Sequence, residues 1–225
     1  MLTTYTALQG LQREAENVLE FALSEVRREP VPDTSDMISD LLFGIGLVQW
    51  YAGRYGEAAT SFAASRAYAG HPSRGLAAVS NEALALRQTG ASAREIQDRF
   101  ADFIEQPRKR PSERFSRGLL LYAAGRLISA RNEFQAVLGR KVRKAVDVRS
   151  EEDIIPPDVG KQDIESLKRR AHLALITVLI DQHRAKEARS EWDKYEAETS
   201  PEDRDNQAVS NATKNTGKNA QAPDI

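Results

Sequence analysis

The chain has 225 residues, 40% hydrophobic and 29% charged, and its 32 Lys and Arg nearly cancel 33 Asp and Glu to a net charge of -1, so no bulk attraction to nucleic acid or to a membrane surface is expected. There is no cysteine, which excludes a disulfide framework, thiolate metal sites and cysteine nucleophiles. No apolar run approaches the roughly 20 residues of a membrane span, and the first residues lack the basic start and apolar core of a secretory signal, so a cytoplasmic protein is expected.

Apolar residues recur at three- and four-residue spacings up to Tyr195 without sustained alternation, so the expected fold class is all-α. Leu8, Leu11, Ala15, Val18, Ala22 and Val26 line one stripe of a first helix over 4–29, which Pro30 and Pro32 end by withholding backbone donors. Asp33 to Ser35 supply caps for a helix over 35–52. The pattern then predicts helices over 55–68, 73–89, 92–105, 112–124, 127–138, 162–182 and 184–197, with Ser92 and Glu95 as a capping box. Beyond Tyr195 large apolar residues almost vanish, and 199–225 is expected to be a disordered tail.

Breaks inside the helical pattern fall at Gly53, Gly90, Gly125 and His183. The first two steps are 37 and 35 residues, and the third, 58, is one such step plus the 23 residues of a non-periodic stretch over 139–161. A period of about 35 residues is a signature of stacked helical hairpins. The expected organisation is one helical domain over 1–198. It comprises an N-terminal helix within 1–32, helix pairs over 35–69, 73–105, 112–138 and 162–197, and an inserted loop over 139–161.

Around these breaks the residues resemble the tetratricopeptide repeat family. Its small residue seven before the turn is matched by Gly46, Ala83 and Gly118, with Ile176 departing. Its alanine and large apolar residue, five and nine after the turn, are matched by Ala58 with Phe62, Ala130 with Phe134 and Ala188 with Trp192. In the second unit Glu95 holds the alanine position, and Ile96 and Phe100 indicate a slip of one residue. Two helices cross closely only where one side chain is small, and a bulky neighbour fills the wedge beside it. The resemblance covers roughly 36–195 and implies an α-solenoid of about four antiparallel helix pairs.

Candidates for catalysis are few. His71, His172 and His183 share no metal-ligand spacing and are expected to be ordinary histidines. Gly44-Ile45-Gly46 lies inside a helix rather than after a strand, which makes it a packing feature and not a dinucleotide motif. No phosphate loop, nucleophile elbow or EF-hand loop occurs, so no enzyme activity, metal or cofactor is expected.

The resemblance implies a concave face built from the first helix of each pair. On this sequence it carries Phe43, Leu47, Trp50 and Tyr51, then Ser80, Leu84, Arg87 and Gln88, then Phe115, Leu119, Tyr122 and Ala123. That lining is apolar and aromatic, with Arg87 as an isolated cation, and suits a protein or peptide segment offering apolar anchors. Chaperone-binding members of the family clamp a carboxylate with asparagines; Leu47, Leu84 and Leu119 stand at those positions, which argues against a clamp. The groove could instead be filled by the first helix's own stripe or by a second copy, giving a homo-oligomer.

Two basic clusters, Arg108, Lys109 and Arg110, and Arg140, Lys141, Arg143 and Lys144, could meet phosphate or an acidic protein. They are not interleaved with aromatics for base stacking, so nucleic acid is not the expected partner. The leading expectation is a non-catalytic adaptor, scaffold or chaperone-like module. The alternatives are an RNA-binding helical repeat using the basic clusters, and an architectural subunit of a larger complex.

Overall fold

The structure is a computed structural model, and it describes residues 2–29, 34–139 and 161–198. Among them are ten helices and no strand: α1 (Leu2–Arg28), α2 (Thr34–Tyr51), α3 (Tyr55–Tyr68), α4 (Pro72–Gln88), α5 (Ala93–Arg99), α6 (Ala101–Glu105), α7 (Pro111–Ala123), α8 (Leu127–Val137), α9 (Lys161–Asp181) and α10 (Ala185–Glu198). The expected all-α class is observed. The expected tail over 199–225 and residues 140–160 of the expected loop, with Arg140, Lys141, Arg143 and Lys144, lie outside the described residues.

Local chemistry accounts for many of the boundaries. Pro72 opens α4 and Pro111 opens α7, where a missing backbone donor costs nothing. Ser92 caps α5 in a complete capping box with Glu95. Each of the four anticipated breaks has a left-handed backbone: φ is 75° at Gly53, 99° at Gly90, 71° at Gly125 and 58° at His183. Three are glycines, which adopt this region freely; His183 accepts the conformation with a side chain attached.

Two expectations are corrected here. The helix anticipated over 92–105 is interrupted at Phe100, whose φ of -117° and ψ of 22° separate α5 from α6. The four-residue spacing of Ile96, Phe100 and Ile104 survives the interruption, and all three are buried, which is why spacing alone predicted one helix. In α1 the anticipated stripe is not the packing face: Leu11 is 62% exposed and Val18 66%. Of that stripe Val26 packs on α2, and it does so with Leu19 and Leu23, which lie outside the stripe, against Ile38, Leu41, Leu42 and Ile45. Apolar residues lie on more than one flank of α1, and only the neighbour selects among them.

The described residues fall into two compact units. One lies within Met1–Arg108 and Leu119–Gly125, and the other within Lys109–Gly118 and Arg126–Ile225. In the first, α1 packs on α2, α2 on α3 and α3 on α4; in the second, α8 packs on α9 and α9 on α10.

Candidate functional site

In the first unit, Gly46 of α2 lies against the buried ring of Phe62 of α3, and a Cβ at Gly46 would stand 2.7 Å from that ring. Phe43, one turn earlier on α2, meets the same ring with centroids 5.3 Å apart. In the second unit Gly118 and Phe134 repeat the arrangement with a would-be Cβ contact of 2.5 Å, and Phe115 supplies the tilted partner at 5.8 Å. Gly44 faces the other way, toward Leu19 of α1, so the Gly-Ile-Gly segment is a helix-packing feature.

The anticipated groove residues of the first unit separate into two groups. Phe43, Leu47 and Trp50 are half-buried against Ala58, Ala59, Phe62 and Ala85, and Trp50 meets Tyr55 edge-on at 5.0 Å. Next to them Tyr51 is 75% exposed. Farther along the chain, the Arg87 guanidinium lies 4.7 Å over the Tyr122 ring and donates to the Tyr122 carbonyl at 2.6 Å. Arg87 is therefore not the isolated cation that sequence reading makes it, because it is held by cation–π attraction and a hydrogen bond together. Leu84 and Leu119 are half-buried. Phe115 belongs to the second unit, where it is buried on Phe134 and covered by the Arg170 guanidinium at 4.7 Å.

The stripe of α1 does not fill the face carrying Phe43, Leu47 and Trp50. Among its described residues Leu11 and Val18 are exposed, and Val26 joins Leu19 and Leu23 in the cluster around Ile38, Leu42 and Ile45, on another side of α2. A polar chain fixes this docking: Gln12 Nε2 donates to the Tyr51 carbonyl at 3.2 Å, Gln49 Nε2 to Glu16 at 2.9 Å, and Arg54 pairs with Glu16. The Arg54 hydrogen bond, helped by Gln49, holds the Glu16 carboxyl below its usual value against the opposing effect of burial.

Of the described basic residues, Arg108 donates to Gln106 at 2.8 Å, while Lys109 and Arg110 are exposed. The histidines differ from one another. His71 is the N-cap of α4, accepting from the Ser73 amide, and His183 forms the left-handed turn. His172, only 3% exposed, is no ordinary histidine: Nδ1 lies 2.7 Å from Glu191 and Nε2 3.0 Å from Glu198.

Sequence reading also passed over a polar tie between neighbouring helices, made eight or nine residues past Gly53, Gly90, Gly125 and His183 alike. Ser61 donates to Gln49 at 2.7 Å, Arg99 to Glu82 at 2.6 Å, and Arg117 pairs with Glu133, while Glu191 meets His172. Glu82 and Glu191 are buried, and each sits among the inner-face residues of its helix, Val79 and Ala83 for one, Ala188 and Tyr195 for the other. A carboxylate at an inner-face position is a readable signal for such a tie, because a buried charge needs a partner.

No family model matches the chain, and no curated protein or solved structure matches it either. Among the described residues no helix is long and apolar enough to cross a membrane, and no group of His, Asp and Glu is placed to hold a metal ion.

Proposed function

We propose that this chain is a non-catalytic binding module, a tetratricopeptide-like stack of helix pairs that holds an apolar segment of another protein on the α2 face formed by Phe43, Leu47, Trp50 and Tyr51. The carrying observation is that these side chains are neither buried nor loose. Phe43, Leu47 and Trp50 are fixed along one edge by the Phe62 cluster and keep part of their surface in solvent, beside the exposed Tyr51. Rings held in one orientation before binding lose little conformational freedom on binding, which favours them as anchors. The repeat reading is supported by the two Gly–Phe crossings and by the left-handed residues at Gly53, Gly90, Gly125 and His183.

The test compares the intact chain with Tyr51→Asp in affinity capture from native lysate, with and without nuclease. Tyr51 is the suitable position because Trp50 and Tyr122 carry structural contacts whose loss would confound the result. Partners are expected to be lost with Tyr51→Asp while the melting temperature is unchanged. Capture that survives the substitution, or that nuclease alone abolishes, overturns the proposal.

A further inference from the structure

The fourth polar tie differs chemically from the other three. Those across α2–α3, α4–α5 and α7–α8 use Gln49, Arg99 and Arg117, none of which changes charge near neutral pH. Across α9–α10 the tie to Glu191 is made by His172, the one side chain type whose charge changes there without special help. Both of its ring nitrogens lie within hydrogen-bonding distance of a carboxylate, at 2.7 Å to Glu191 and 3.0 Å to Glu198. An ionised carboxylate only accepts, so the ring donates to both only when both nitrogens carry protons. The two carboxylates are unequally held, since the Glu191 side chain is 4% exposed and that of Glu198, at the C-terminal end of α10, is 61% exposed.

We propose that His172 is a proton-operated tie: doubly protonated, it fastens the C-terminal end of α10 to α9 through Glu198, and on losing one proton it keeps Glu191 and releases Glu198. The surroundings fit this assignment. Glu198 and His172 line a cavity of about 420 Å³ together with Leu138, Glu165 and Lys168, so the released carboxylate has water to enter. On α9 itself, Glu165 and Lys168 pair with each other at 2.9 Å. On α10, Lys194 lies 3.5 Å from Glu191 and the Tyr195 ring stands 6.3 Å from the imidazole. α8 also packs on α9, and α7 reaches it through Phe115 under Arg170; among the described residues that line the cavity, only the apolar Leu138, just past α8, comes from outside α9 and α10.

The sign follows directly: the Glu198 contact is present at the acid end of the histidine range and lost as pH rises. Amide hydrogen exchange in the last turn of α10 reads it, as the ratio of rates in Glu198→Gln to wild type at each pH, which cancels the intrinsic pH dependence of exchange. The ratio is expected to be roughly threefold near pH 5 and to fall to about one near pH 8, the scale of a partly exposed ion pair across the span where histidine changes charge. A ratio that stays constant over that span, at one or at any other value, overturns the proposal. His172→Gln supplies a second arm, in which Glu198→Gln should no longer change exchange at either end.

Discussion

The α2–α3 and α9–α10 pairs turn on residues with the same left-handed backbone, Gly53 in one and His183 in the other, yet they close by different means. In α2–α3 the crossing is made by the absence of a side chain: Gly46 lets the Phe62 ring lie against the α2 backbone, and Phe43 braces that ring. In α9–α10 the corresponding position is Ile176, fully buried, and no such approach exists. There the Tyr195 ring of α10 stands 6.3 Å from the His172 ring of α9, and the buried pair of His172 and Glu191 adds a directional contact. Close packing gains dispersion and excludes water, whereas a buried ionisable pair fixes register by holding its two partners together.

The largest expected effects attack the packed crossing itself. Phe62→Ala, and equally Phe134→Ala in the second unit, should each cost about 3–5 kcal/mol in urea unfolding, because a fully buried ring is lost and a cavity remains. Glu191→Ala in the α9–α10 pair should cost about 1–3 kcal/mol, since it leaves the buried Nδ1 of His172 without its acceptor. Gly46→Ala should cost about 1–2 kcal/mol, the overlap with Phe62 outweighing the better helix propensity of alanine. A destabilisation as large as that of Phe62→Ala would show that the crossing tolerates no backbone displacement.

Two smaller effects sharpen the contrast around α1. The Glu16 carboxyl is held below its ordinary value by Arg54, so its contribution is present above the unfolded carboxylate range and is lost as pH falls through the folded value. Exchange of α1 amides should therefore accelerate selectively below about pH 4, and Glu16→Gln should abolish that acid step. Gly10 of α1 has nothing within 4 Å of a would-be Cβ, so Gly10→Ala should stabilise by about 0.5–1 kcal/mol, read from the melting temperature. Together with Gly46→Ala it separates a glycine required by a close approach from one that is merely tolerated.

Much of the fold was legible because helix formation is announced locally. The spacing of apolar residues, Pro30 and Pro32 after α1, the Ser92 and Glu95 box, and the glycines at the turns all act over a few residues, and helices occur where these signals stand. His183 was legible as a break only because it falls on the period; nothing in its chemistry marks a left-handed turn. The interruption at Phe100 was not legible, because the buried spacing of Ile96, Phe100 and Ile104 is the same with or without it.

The candidate site was legible as a set of residue types and not as an arrangement. Phe43, Leu47, Trp50 and Tyr51 were marked by their position before Gly53, but periodicity does not distinguish the half-buried Trp50 from the exposed Tyr51. Arg87 read as a lone charge because Tyr122, which it covers, lies 35 residues away in the chain. The histidine tie was missed for the same reason, with 19 residues separating His172 from Glu191 and 26 separating it from Glu198.

By itself the sequence determined the helical class, the positions of nearly all the helices and the turns between them, since each rests on backbone preferences and apolar periods within a single segment. Only the tertiary structure decided which flank of α1 is buried, which glycine admits a ring, and which charges are paired. Those outcomes depend on side chains brought together from distant segments, and on the neighbour that removes each from water.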